Sequence, residues 1–118
     1  MTTVRINGAD YIIEEGHTGD WHYRKWHSGR NECWASLYYA NTAMTTAEGS
    51  GYYSAMKTIA FPTNFFSGSL TVNATAEMNG ALGGFAISAA NKTNITGYFW
   101  ATRSVTKNVW LNIYAISR

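Results

Sequence analysis

The sequence contains a single cysteine, a single proline and few charged residues, which make up only 14% of its 118 residues. One cysteine excludes an internal disulfide, so the chain is not a disulfide-stapled miniprotein. No apolar run approaches the ~18 residues that cross a membrane, and the first residues lack the apolar segment of a signal peptide. We therefore expect no membrane insertion, and either an intracellular location or export by a route that needs no signal.

The chain also lacks a strong excess of charge of either sign. Its formal net charge at pH 7 is +2, and its nine Lys and Arg residues are scattered along the sequence. Nucleic-acid-binding domains usually gather basic residues in a stripe, because phosphate contacts dominate their affinity. We therefore expect no nucleic-acid partner.

Aromatic residues are abundant, at 15%, and Thr, Asn, Ser and Gly are frequent. Thr, Tyr, Trp and Phe fit a pleated surface, whereas Asn and Gly favour tight turns. The length suits one domain with a core that needs no metal. No stretch has the period of an amphipathic helix. The pattern predicts an all-β fold, specifically an antiparallel β-sandwich of the jelly-roll-like kind.

The strongest local pattern is a hairpin. Two aromatic-rich runs at 21–27 and 32–39 are separated by a turn that contains glycine. Residues 1–20, with turns predicted at Asn7-Gly8 and Glu15-Gly16, are interpreted as a lead-in segment. Residues 21–118 are interpreted as the β-sandwich domain.

Loops are predicted at 41–51 and 80–84, between strands. Strands are predicted at 52–61, 69–78, 85–89, 95–103 and 109–117.

The last predicted strand is apolar on both faces. One face carries Val109, Leu111, Ile113 and Ala115, and the other carries Trp110, Tyr114 and Ile116. A strand of this kind is covered on both faces, but a sandwich of this size covers only one. A large exposed patch is the alternative, and soluble monomers rarely carry one. We therefore favour association with further copies of the chain.

Three stretches resemble a segment of structural proteins from phages and prophages. Residues 10–16 match a D-Y-x-x-E-x-G pattern, 21–29 match W-x-Y-R-K-W-x-S-G, and 32–34 match E-C-W. The ending at 109–118 is similar to their C-terminus, with Ser117 where a glycine is usual. The resemblance implies that residues 21–118 are the C-terminal head domain of a tail fibre or tail appendage and that this domain is homotrimeric. It also implies that the lead-in segment at 1–20 follows a fibre shaft that is absent from this sequence. It implies a virion component made in the cytoplasm of the bacterial host.

The resemblance further implies attachment to the host cell surface, and we expect a bacterial surface glycan as the ligand. Binding residues concentrate in loops on a rigid scaffold, so we expect the loops in the middle of the chain, especially those predicted at 41–51 and 80–84, to carry recognition. Candidate ligand contacts there are Tyr52, Tyr53, Asn79 and Asn94. Three weak sites on one tip would bind by avidity. Two alternatives stay open: a trimerisation or capping module that binds no ligand, and a monomeric carbohydrate-binding module.

The tryptophans of the hairpin allow two interpretations. Trp21, Trp26 and Trp34 could form a platform on which sugar rings stack, or could belong to the core and the trimer interface. We favour the second, because tryptophan is usually well buried. Together with the second face of the last strand, this gives six residues assigned to scaffold or oligomer interface: Trp21, Trp26, Trp34, Trp110, Tyr114 and Ile116.

No arrangement of residues indicates catalysis, a metal or a cofactor. Cys33 could lie near His22 across the hairpin, but no orienting group accompanies them, and a buried free thiol is the favoured interpretation. The histidines lack zinc-site spacing. Seven carboxylates are present, but no pattern pairs them as in a glycosidase. We expect a non-enzymatic protein. We also expect Glu32 to form a cross-strand pair with either Arg24 or Lys25, which point to opposite faces of their strand.

Overall fold

The computed structural model describes residues 10–117, and within this range the chain forms strands and turns without a helix. None of the described residues forms a helix with the length and hydrophobicity that a membrane crossing needs. The predicted all-β class is confirmed. The strands are β1 (Ile12–Thr18), β2 (Trp21–Trp26), β3 (Asn31–Met44), β4 (Thr46–Glu48), β5 (Gly51–Tyr53), β6 (Lys57–Ala60), β7 (Leu70–Met78), β8 (Gly83–Ala90), β9 (Asn94–Ala101) and β10 (Val105–Ser117).

The strands form two sheets in which every pairing is antiparallel, as the sequence predicts. The first sheet has the order β1-β2-β3-β10-β7. The second sheet is built around β9, which pairs with β8 along nearly its whole length. On its other edge, the first half of β9 pairs with β6 and the end of β9 pairs with β5. The strand β4 lies at the edge of the sheet, next to β5.

The core lies between the two sheets. From β10, the alternate residues Val109, Leu111, Ile113 and Ala115 are buried, and from β9, Ile95, Phe99 and Ala101 are buried. Both strands thus place every second side chain in the core, as the pleat requires. Trp21 of β2 is also buried, and its indole nitrogen donates a hydrogen bond to the carbonyl oxygen of Ala60 in the second sheet at 3.0 Å.

The predicted loop at 41–51 is wrong. Residues 41–44 continue β3, and β4 and β5 form a hairpin whose turn contains Gly49 at φ +56°. The alternation of buried and exposed side chains along β3 shifts by one residue at a bulge in its pairing with β10. At this bulge Asn41 has a φ of +50°, and its N–H donates a hydrogen bond to the Asn108 side chain at 2.9 Å. Before the bulge odd-numbered residues face the core, whereas after it Thr42 and Met44 are buried.

The other boundaries differ in smaller ways. The predicted loop at 80–84 ends early, because β8 begins at Gly83. The predicted strand at 52–61 is interrupted between β5 and β6 at Ser54, which hydrogen-bonds to the backbone of Phe99. The hairpin at 21–39 and the strand at 69–78 are confirmed.

The predicted lead-in segment at 1–20 contains β1, which pairs with β2 from Ile12 to Thr18. The turn predicted at Glu15-Gly16 is therefore wrong, since both residues lie within this strand. The turn predicted at Asn7-Gly8 lies outside the described residues. The division between lead-in and head domain stays a prediction.

Candidate functional site

Aromatic side chains project from the face of the first sheet that is turned away from the core, here called the outer face. Trp110 of β10 lies opposite Tyr38 of β3, with their ring centroids 5.0 Å apart. Trp110 is 47% exposed and Tyr38 is 50% exposed. Further along, Tyr114 lies opposite Trp34. The second apolar side of β10 is thus only partly covered by this chain.

A buried carboxylate organises one end of the outer face. Glu32 accepts hydrogen bonds from the indole nitrogen of Trp26 at 3.2 Å and from the hydroxyl of Tyr114. The guanidinium of Arg24 lies 3.7 Å from the same carboxylate, so the predicted cross-strand pair forms with Arg24 and not with Lys25. Burial, together with the hydrogen bond to Glu32 and its charge, raises the pKa of Tyr114 to about 12. Glu32 therefore holds Trp26, Arg24 and Tyr114 together across three strands.

Cys33 lies on the opposite face, in the core, and is completely buried. Burial, with a smaller effect of the nearby Glu32 charge, raises the pKa of its thiol to about 12. His22 pairs instead with Trp34 and stacks on its ring at a centroid distance of 6.0 Å. The predicted buried free thiol is confirmed, and the thiol is not placed to act as a nucleophile with His22. Among residues 10–117, no three His, Cys, Asp or Glu side chains are grouped as metal ligands.

A cleft of about 470 Å³ lies on the second sheet and has a largely aromatic lining. Tyr53 and Tyr98 form one side, with ring centroids 5.5 Å apart and ring planes at 83°. Trp100 is 41% exposed, a large fraction for an indole. The full lining is Glu48, Gly51, Tyr52, Tyr53, Ala86, Tyr98 and Trp100.

Small residues on β8 make room for these rings. Gly84 lies opposite Trp100, and Ala86 lies opposite Tyr98. A Cβ atom on Gly84 would lie 3.1 Å from the indole nitrogen of Trp100, closer than ordinary van der Waals contact. The glycine therefore lets the indole lie close over the neighbouring strand.

The four residues predicted to contact a ligand are not brought together. Tyr52 and Tyr53 line the cleft on the second sheet, whereas Asn79 lines a separate cleft of about 700 Å³ beside Trp110 and Leu82. Asn94 begins β9, and its N–H donates to the Asn91 side chain at 3.0 Å within a turn. Along β9 it lies about 13 Å from Tyr98 and about 20 Å from Trp100, the two residues of this strand that line the aromatic cleft, at ~3.3 Å per residue.

The six residues assigned to scaffold or interface separate into two groups. Trp21 lies in the core, and the other five lie on the outer face of the first sheet. These five are Trp26, Trp34, Trp110, Tyr114 and Ile116. Sequence reasoning did not single out Glu48, Tyr98 or Trp100. The alternation of β9, which buries Ile95 and Phe99, is the signal that places Tyr98 and Trp100 together on its other face.

No protein-family model matches the chain, and no curated protein matches it. A solved structure of an N-truncated R1-type pyocin tail fibre is similar in fold, with a TM-score of 0.65 at 15% sequence identity. The similarity covers 93% of this chain and 86% of that chain. The chain therefore has a tail-fibre-like fold. Membership of the phage family suggested by the sequence motifs stays a prediction.

Proposed function

We propose that this chain is the head domain of a phage tail fibre or related appendage, that it works as a homotrimer, and that it attaches the virion to a glycan on the host cell. The similarity in fold to a pyocin tail fibre over 93% of the chain is the observation that carries this proposal. An upstream fibre shaft would join the trimer to the virion. The role is one of binding, and no enzymatic activity is proposed.

The outer face of the first sheet supports the homotrimer. Trp110 and Tyr38 are about half exposed, and Leu82 beside them is 75% exposed. Burying such side chains contributes ~25 cal/mol for each Å² of apolar surface removed from water. A second copy of the chain is the simplest cover for this face, because homo-oligomers with closed symmetry are common. The number three comes from the sequence resemblance.

Two matched tryptophan variants test this interface. Trp110→Ser removes an indole from the outer face of the first sheet, whereas Trp100→Ser removes one of similar exposure from the second sheet. Sedimentation velocity should show that Trp110→Ser, and likewise Ile116→Ser, lowers the sedimentation coefficient to that of a monomer. Trp100→Ser should remain a trimer. If Trp110→Ser and Ile116→Ser both remain trimeric, the interface has been assigned to the wrong face.

A trimerisation or capping module without a ligand is the second candidate function. The Glu32 cluster, formed by Glu32 with Trp26, Arg24 and Tyr114, supports this candidate. Trp26 and Arg24 belong to the motif shared with phage proteins, and both make contacts within the chain. An intact trimer that binds no glycan on an array of bacterial polysaccharides would favour this candidate.

A further inference from the structure

We infer that the aromatic cleft on the second sheet is the glycan site, and that it takes a neutral pyranose and discriminates against acidic sugars. The inference rests on the glycan recognition proposed above and adds to it a location and a ligand class. The residues that carry it are Glu48, Tyr53, Tyr98 and Trp100.

The dimensions of the cleft suit a sugar. Small-molecule sites usually measure ~300–1,000 Å³, and this cleft measures about 470 Å³. The rings of Tyr53 and Tyr98, which both line the cleft, pack nearly perpendicular to each other. Trp100 adds a partly exposed indole supported by Gly84 beneath it. Aromatic faces suit the C–H faces of pyranoses, and tyrosine hydroxyls add polar contacts.

The charge of the lining decides between classes of sugar. Glu48 is exposed and has no ion-pair partner among residues 10–117, so its carboxylate is free to accept hydrogen bonds from sugar hydroxyls. Within the described range 10–117, no Lys or Arg lines the cleft. An acidic sugar would bring a second carboxylate next to Glu48 without a cation to balance it. The same repulsion disfavours a nucleic-acid strand.

The outer face of the first sheet is a less suitable site for a glycan. Its most exposed aromatic residues, Trp110 and Tyr38, adjoin the apolar side chain of Leu82. That surface is assigned to the trimer interface above. The cleft on the second sheet therefore remains accessible in the proposed assembly, and each trimer would present three copies of it.

Binding of the full chain to immobilised bacterial polysaccharides tests the site. The panel contains purified neutral polysaccharides and matched ones that contain uronic acid, and each is measured with wild type, Trp100→Ser and Gly84→Ala. Wild type should bind at least one neutral polysaccharide, and Trp100→Ser should lower the affinity about tenfold or more. Gly84→Ala should lower it several-fold, because the added Cβ displaces the indole.

Glu48→Gln tests the discrimination against acid. This variant removes the charge but keeps a hydrogen-bond acceptor, so the preference for neutral over uronic-acid-containing polysaccharide should shrink. An unchanged preference would overturn the assignment of Glu48.

The outcomes separate this inference from the proposed function. Binding that survives Trp100→Ser overturns the cleft as the site but leaves glycan recognition standing. No binding to any polysaccharide by an intact trimer overturns both, and favours the trimerisation module. If Trp100→Ser instead dissociates the trimer, the cleft is a subunit interface and the inference fails.

Discussion

Removing the Glu32 carboxylate should destabilise the fold far more than removing an exposed one. Glu32 is buried, and its two oxygens accept separate hydrogen bonds, one from the Trp26 indole and one from the Tyr114 hydroxyl. Arg24 supplies the positive charge at 3.7 Å. Glu32→Ala therefore removes two hydrogen bonds to a charged acceptor and leaves Arg24 without this partner.

The magnitude follows from these contacts. A hydrogen bond to a charged group contributes ~1.5–3 kcal/mol, so two of them set an upper range of about 3–6 kcal/mol. The freed donors of Trp26 and Tyr114 are only partly buried and can reach water, and the Arg24 pair is weakened by solvent screening. We expect Glu32→Ala to lower the free energy of unfolding by ~2–4 kcal/mol. Glu32→Gln, which keeps an acceptor of the same shape, should cost ~1–2 kcal/mol.

Urea unfolding followed by circular dichroism measures this effect. All variants are compared at one protomer concentration, because the stability of an oligomer depends on concentration. Glu48→Gln is the control, since Glu48 is exposed, and we expect a change within about 0.5 kcal/mol. If Glu32→Ala costs less than ~1 kcal/mol with the oligomer intact, the cluster does not stabilise the fold as described.

Three further predictions concern single residues. Cys33 should react with iodoacetamide only after unfolding, because it is buried and its thiol pKa is raised to about 12; rapid labelling of the native protein would contradict this. The pKa of Tyr114 is raised from 10.0 to about 12, so between about pH 10 and pH 12 the hydroxyl keeps its proton in the folded state but loses it in the unfolded chain. Its contribution to stability should therefore be complete below about pH 10 and be lost toward pH 12, and Tyr114→Phe should make the alkaline unfolding curve less steep. Gly97→Ala should lower the free energy of unfolding by ~1–3 kcal/mol, because the added Cβ would lie 2.3 Å from the Ala86 carbonyl oxygen; an unchanged urea midpoint would show that the strands separate at little cost.

Strands with uninterrupted alternation were predictable from the sequence. In β7 the side chains of Leu70, Val72 and Met78 are partly buried and the intervening residues are exposed, as the period of two requires. The continuation of β3 was not predictable, because the bulge at Asn41 shifts the alternation by one residue. A bulge depends on the pairing partner, here β10, and a single strand does not reveal it.

The aromatic cleft was only partly predictable, for a related reason. Tyr53 pairs with Trp100 across β5 and β9, although 46 residues separate them in the sequence. Glu48 reaches the same place through the β4–β5 hairpin, in a stretch predicted as a loop. Local patterns identified Tyr53, but only the order of the second sheet brings the three residues together.

The molar mass of the full chain in solution tests the central claim most directly. Size-exclusion chromatography with multi-angle light scattering at micromolar protomer concentration should give three times the protomer mass of 13.1 kDa. That result would agree with a trimer that covers the outer face of the first sheet. A single peak at 13.1 kDa would contradict the trimeric head domain and would leave a monomeric carbohydrate-binding module as the better account of the aromatic cleft.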